Sequence, residues 1–177
     1  MNNLKSEDAL FKFRYLPDYA GFLLNSKLDE FSLVGIRFCR ELDLPMMRPL
    51  AKLSEVELLE LTKEGNKQLL KALSENSVEN HIQKNLTRII ENKILDKNGN
   101  KLLENTEIVA EDIILAFHIR RRLFGFFLYA YTQNTAIHTL IMEEADHYTT
   151  QEHLITTKAY LQSLKNSDEL IQHTPVN

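Results

Sequence analysis

The segment spanning residues 110–131, AEDIILAFHIRRRLFGFFLYAY, constrains the fold of this chain more than any other stretch. It contains no proline, and only Gly125 weakens its helical propensity. Its aromatic side chains are Phe117, Phe124, Phe126, Phe127, Tyr129 and Tyr131. A helix this apolar is normally buried on most sides inside a larger helical domain. The segment therefore predicts the central helix of an all-α fold.

The composition is that of a single globular domain with an ordinary core. The 177 residues are 44% hydrophobic and 26% charged, and the net charge of −4 gives no overall attraction to nucleic acid. Cys39 is the only cysteine, which excludes an intramolecular disulfide and fits a reducing compartment. The N-terminus is polar, unlike a signal peptide, and arginines interrupt the most apolar run. We expect a cytoplasmic protein that binds neither nucleic acid nor a membrane.

Apolar side chains recur at helical spacing along most of the chain. Pro17 is suited to a first helical turn, and Ser54 with Glu57 forms a capping box at the start of a helix. The predicted helices cover residues 7–24, 27–42, 55–73, 78–95, 110–131 and 136–164. A turn is expected at residues 96–100, DKNGN, and residues 94–103 are the one place for a small β-hairpin. We expect one helical domain over residues 1–165 and a polar tail or linker over residues 166–177.

A seven-residue recurrence marks the last predicted helix. Hydrophobic positions repeat at this interval, a period typical of a helix that pairs with another helix over several turns. The pattern favours a homodimer; the alternative is that the stripe packs within its own chain, which the interruption at Glu152 would suit. The residues of the predicted dimer seam are Leu140, Ile141, Tyr148, Ile155 and Leu161.

His118 and the arginines that follow it are candidate ligand-binding residues. His118 lies among aromatic side chains and could ligate haem iron as a proximal imidazole, but spacing alone favours a neutral core histidine. Consecutive helical positions differ by about 100°, so at most two of the three arginines at 120–122 can point inward. An inward guanidinium is a candidate for binding an anion. The favoured alternative is ion pairing with Glu111, Asp112 or another helix.

Two further positions carry weaker chemical signals. Glu144 and His147 form the Glu-x-x-His spacing of di-iron helical bundles, but that fold needs a second copy, which this sequence lacks. We favour a solvated helix face on which Glu143 pairs with His147. Cys39 is interpreted as a buried structural thiol rather than a reactive one. No phosphate loop, zinc cysteine pair or catalytic triad signature is present in the sequence, so an enzyme is not expected.

Two stretches resemble a known group of proteins. They are residues 40–73, RELDLPMMRPLAKLSEVELLELTKEGNKQLLKAL, and residues 109–132, VAEDIILAFHIRRRLFGFFLYAYT. Together they resemble the N-terminal sensor domains of bacterial signalling proteins, such as the non-haem, globin-like domains of RsbR-type stressosome proteins. The resemblance implies a globin-like helical bundle, a homodimer, and a long C-terminal helix that passes a signal to a histidine kinase or another output domain. It also implies that no haem is bound.

We therefore expect a non-enzymatic regulatory or sensor domain of a signal-transduction protein. The candidate ligand-binding residues are Phe117, His118, Arg121 and Phe124. One alternative is a haem-binding gas sensor that uses His118. A second alternative is a metal-dependent helical-bundle enzyme that uses Glu144 and His147.

Overall fold

The computed structural model describes residues 12–45, 47–90 and 109–172, and within these ranges every regular element is a helix. The all-α class predicted from the sequence is confirmed. The helices are α1 (Leu16–Ser26), α2 (Leu28–Glu41), α3 (Met47–Leu50), α4 (Glu55–Ser74), α5 (Val78–Ile90), α6 (Ala110–Phe126), α7 (Leu128–Tyr131) and α8 (Thr135–Gln172).

Helix α1 begins where proline permits it. Pro17 lies in the first turn of α1, where the sequence allowed it, and the helix ends at Ser26, two residues beyond the predicted end at residue 24. Residues 12–15 are not helical, so the predicted start at residue 7 is wrong for these four positions. Residues 7–11 lie outside the described part of the chain.

Helix α4 begins at the predicted capping box. The hydroxyl of Ser54 accepts a hydrogen bond from the backbone N–H of Glu57 at 3.3 Å. The Glu57 carboxylate accepts one from the backbone N–H of Ser54 at 2.9 Å. Hydrogen bonds from the Ser54 hydroxyl and backbone hold the pKa of the Glu57 carboxyl below its usual range. Two orphan backbone donors are thus satisfied at the start of the helix.

The connection after α5 cannot be compared with its prediction. Helix α5 is described as far as Ile90. The predicted continuation to residue 95, the turn at 96–100 and the possible hairpin at 94–103 all lie outside the described residues.

The central segment folds as α6 followed by the single turn of α7, with a break at Phe127. The expectation that it is buried on most sides is wrong. Ile114 is 50% exposed and Phe126 is 53% exposed, whereas Phe124 is fully buried. Helix α6 packs on α2 and on α8, which cover one side and leave the other open.

Five helices form a closed ring of neighbours. Helix α2 packs on α4, α4 on α5, α5 on α8, α8 on α6, and α6 again on α2. Helix α1 packs on α4, and also contacts α2 and α8. Its buried face joins the main core, where the hydroxyl of Tyr19 donates to the carbonyl of Phe124 at 2.6 Å. That carbonyl belongs to the last turn of α6, where helical carbonyls lack partners of their own.

Helix α8 is longer than predicted, and part of its predicted dimer seam faces the core of its own chain. It has 38 residues, about 57 Å at 1.5 Å per residue, and continues past Leu164 into the segment expected to be a tail or linker. The predicted dimer seam is wrong at Ile141 and Tyr148, because both are fully buried within the chain. Leu140 and Ile155 are half-buried, and Leu161 is 51% exposed.

Among the described helices, none combines the length and the hydrophobicity needed to cross a lipid bilayer.

Candidate functional site

A cavity of about 460 Å³ lies within the ring of helices. Side chains from α2, α3, α4, α5, α6 and α8 line it, and each of them is buried or half-buried. A volume of this size falls in the range of small-molecule sites, which are mostly apolar with a few polar groups. The cavity therefore has the size of a small-molecule site.

The walls from α2, α3 and α4 are mainly apolar. The thiol of Cys39 belongs to this part of the lining, and burial raises its pKa to about 11. A thiol with that pKa stays protonated near neutral pH and is a poor nucleophile, in keeping with a structural role. The apolar residues on these walls are Phe31, Leu44, Met47, Leu50, Leu58, Leu61 and Leu69.

The wall formed by α8 is polar. Thr149, Glu152, His153 and Thr156 all line the cavity. Their spacing of three, one and three residues places them on one face of the helix. The hydroxyl of Thr149 already donates to the carbonyl of Ala145 at 2.8 Å, so toward the cavity it can act only as an acceptor.

An ion pair joins α6 to α8 in the cavity wall. The guanidinium of Arg120 donates to Oε2 of Glu152, whose side chain is only 9% exposed. The same guanidinium lies 3.4 Å from the hydroxyl of Tyr148. Burial raises the pKa of the Tyr148 hydroxyl, and the positive charge of Arg120 opposes this. A buried carboxylate is stable only with a partner such as this one.

Two polar atoms on the α8 wall have no hydrogen-bond partner among the described residues. Oε1 of Glu152 accepts no hydrogen bond from them. Nδ1 of His153 is buried and equally unpartnered, and its ring packs against Phe117 with centroids 5.2 Å apart. Buried polar atoms are nearly always paired, so the unpartnered Nδ1 of His153 is exceptional. It and the free acceptor Oε1 of Glu152 are the atoms of the wall to which a bound molecule would add hydrogen bonds.

The predicted ligand-binding residues are not brought together. Phe117 lines the cavity, but Phe124 does not and is buried in the core against Tyr19 and Phe31. His118 is exposed and does not line the cavity, so its interpretation as a core histidine is wrong. Arg121 lies on the surface, where it pairs with Asp146 at 2.6 Å.

The favoured interpretation of the arginines, pairing with other helices, is confirmed. Arg120 and Arg121 pair with α8, and Arg122 pairs with Glu41 of α2 at 3.0 Å. The guanidinium carbon of Arg122 also lies 3.9 Å from the ring centroid of Phe38, a cation–π contact. Arg120 is thus the member of the triplet that faces inward.

The surroundings of His118 do not fit a haem. A proximal imidazole needs an apolar pocket that encloses the macrocycle on its side of the helix. His118 is exposed, and its ring contact is with Phe117, at 5.4 Å between centroids. The described residues therefore leave His118 exposed, whereas a proximal ligand would be enclosed.

Glu144 holds the start of α1 instead of a metal ion. Its carboxylate accepts hydrogen bonds from the backbone N–H groups of Arg14, Tyr15 and Leu16 at 2.9, 2.9 and 2.7 Å. A carboxylate at a helix N-terminus also interacts favourably with the helix dipole. Within the described residues, no three His, Cys, Asp or Glu side chains are grouped so that they could hold a metal ion. Glu144 is thereby assigned a structural role at the start of α1.

Sequence reasoning missed the residues that make the polar wall. Glu152 and His153 were not among the candidates, although Glu152 was noted as an interruption of the apolar stripe, and Arg120 was considered only as one of three arginines without being singled out. The available signal was the presence of polar residues at positions 149, 152, 153 and 156, which form one helical face within a buried helix.

No family model, curated protein or solved structure matches this chain. The resemblance to globin-like sensor domains stays a prediction.

Proposed function

We propose that this chain is a non-enzymatic regulatory domain that binds a small molecule in its cavity and transmits occupancy to α8. The observation that carries the proposal is the position of the Arg120–Glu152 pair. The pair lies in the cavity wall and is also a link between α6 and α8. A molecule bound there would touch the contacts that set how α8 packs.

The polar wall gives the ligand a direct effect on α8. The lining residues on this helix span two turns, so a bound molecule interacts with α8 along that length. A ligand changes a conformational equilibrium only by its difference in affinity for the two states. We propose that the ligand favours one packing of α8 because it pairs the unpartnered atoms of Glu152 and His153.

The likeness to bacterial sensor domains supplies the rest of the proposal. It suggests a globin-like helix arrangement without haem, a cytoplasmic location, and a histidine kinase or another signalling domain as the recipient of the signal. The all-α class and the length of α8 support this assignment. A helix of this length can extend beyond the ring and carry a change of packing to a partner.

Binding in the cavity can be tested with N-phenyl-1-naphthylamine, a neutral dye that fluoresces in apolar surroundings. We expect wild-type protein to raise its fluorescence in a saturable way. Ala116 is half-buried and lines the cavity, so Ala116→Phe should fill the space and reduce the affinity at least tenfold.

Ala136→Phe is the matched control, because Ala136 is exposed and lies at the start of α8. It should bind the dye as wild type does. Absence of saturable binding to the wild type, or equal binding by Ala116→Phe, would contradict a ligand cavity.

We also propose that the chain forms a homodimer through α8, by a face that shares only Leu161 with the predicted seam. Leu154, Leu161 and Leu164 are 47%, 51% and 45% exposed. The first two are seven residues apart, as in helices that pair along their length. Leu154→Lys with Leu161→Lys should make the protein monomeric in light scattering without unfolding it. A monomeric wild type, or a double variant that stays dimeric, would reject this interface.

A further inference from the structure

We infer that the cavity takes a neutral amphiphile: an apolar body with a hydroxyl head that bonds to Glu152 and His153. The inference rests on the proposed function, since it names the class of ligand for the same cavity. It adds a chemical reason for choosing among apolar molecules that would all fit the volume.

The unpartnered atoms define the head group. Oε1 of Glu152 is a carboxylate oxygen and can only accept a hydrogen bond. Nδ1 of His153 is a donor or an acceptor according to the tautomer of the ring. A hydroxyl group can donate to the carboxylate and still offer its lone pairs to an imidazole N–H. A hydroxyl head group therefore has both the donor that Glu152 requires and the acceptor that an imidazole N–H requires.

A carboxylate head group is disfavoured by the charges of the wall. Among the described lining residues, Arg120 is the only one with a fixed positive charge, and it already pairs with Glu152. An anionic ligand would have to displace Glu152 from Arg120. That exchange leaves a buried carboxylate without its partner, which is strongly unfavourable.

An ammonium head group fits less well than a hydroxyl. Both carboxylates of the lining are already engaged: Glu152 pairs with Arg120, and Asp112 accepts from the backbone N–H of Val109 at 3.1 Å. An ammonium would therefore lose its hydration without gaining an unpaired carboxylate, which is unfavourable. It also has three donors and no acceptor, so it cannot accept a bond from Nδ1 of His153 in the tautomer that places the proton on that atom. A neutral head group leaves the Arg120–Glu152 pair intact and adds hydrogen bonds to it.

The rest of the cavity sets the body of the ligand. The walls opposite α8 come from leucine, methionine and phenylalanine side chains, including Phe31, Leu58 and Leu69. Burial of apolar surface against such side chains is the main source of affinity, while the head group fixes the orientation. An alkyl or aryl body with a single hydroxyl matches a cavity that has apolar walls on one side and a polar wall on the other.

Isothermal titration calorimetry with two isomers distinguishes the contribution of the head group to the affinity from that of the apolar body. 1-Octanol and heptyl methyl ether have the same atoms, but the ether has no donor. We expect 1-octanol to bind about tenfold more tightly, the effect of one hydrogen bond to a charged acceptor. Octanoate should bind at least tenfold more weakly than 1-octanol.

Two variants and one control test which side chains bind the hydroxyl group. Arg120→Met with Glu152→Leu removes the pair without leaving a lone buried charge, and it should bring the two isomers to about equal affinity. His153→Leu should lower the affinity for both isomers, because the ether oxygen also accepts from an imidazole N–H, and it keeps the test decisive if the double variant fails to fold. His118→Leu, on the exposed side of α6, should leave the preference unchanged.

The outcomes distinguish this inference from the proposal beneath it. Equal binding of the two isomers to the wild type would overturn the hydroxyl assignment and leave the ligand cavity standing. Tighter binding of octanoate would overturn it in favour of an anionic ligand. Failure of all three molecules to bind, together with failure of the naphthylamine dye, would overturn both.

Discussion

Replacing Phe124 by alanine is expected to lower the free energy of unfolding by about 3–5 kcal/mol, the usual range for a buried phenylalanine. Phe124 is fully buried, and its ring centroid lies 6.0 Å from that of Phe31 and 6.5 Å from that of Tyr19. The substitution removes the ring that joins α6 to α1 and α2. Urea denaturation followed by circular dichroism measures the loss.

Phe126→Ala is the matched control, two positions along the same helix. Phe126 is 53% exposed, although its ring contacts Phe38 and Phe127. We expect a loss of about 1 kcal/mol or less. Equal losses for the two variants would contradict the orientation of α6 in the ring.

Arg120→Ala is expected to lower the free energy of unfolding by about 3 kcal/mol, because it leaves the buried carboxylate of Glu152 without its partner. The Arg120 side chain is 27% exposed and that of Glu152 is 9% exposed, which places the pair near the lower end of the range for buried pairs. The same urea titration measures it.

The neighbouring arginine provides the control for this second substitution. Arg121 pairs with Asp146, but the two side chains are 55% and 39% exposed. Water screens such a pair, so Arg121→Ala should change stability by about 0–1 kcal/mol. Arg120→Met with Glu152→Leu should return stability to within about 1 kcal/mol of wild type. A loss for Arg121→Ala as large as that for Arg120→Ala would contradict the assignment of the inward arginine.

Local signals predicted the helices well where the physical cause is local. The capping box of Ser54 and Glu57 and the position of Pro17 each depend on a few neighbouring residues. The start of α4 and the place of Pro17 in a first helical turn were therefore predicted from the sequence.

The orientation of α6 could not be predicted in the same way. Its apolar and aromatic side chains occur on every side, so the helical period does not single out one face. Whether Arg120 or Arg121 points inward is decided by α2 and α8, which pack on one side. For this reason His118 was placed in the core, whereas the structure exposes it.

The role of Glu144 was hidden by distance along the chain. The backbone N–H groups from which it accepts hydrogen bonds lie 128 to 130 residues earlier in the chain. In sequence, the carboxylate could be compared only with its neighbours, and His147 at the spacing of a metal motif was the most prominent of them. The stripe of α8 was misassigned for a related reason. A hydrophobic repeat indicates contact with another helix but not whether that helix belongs to the same chain.

The central claim is that occupancy of the cavity changes the packing of α8. Hydrogen exchange of α8, with and without saturating N-phenyl-1-naphthylamine, measures this most directly. We expect the dye to slow exchange of the backbone amides in residues 149–156 in the wild type and to leave exchange in Ala116→Phe unchanged. Saturable binding of the dye with unchanged exchange along α8 would contradict the claim.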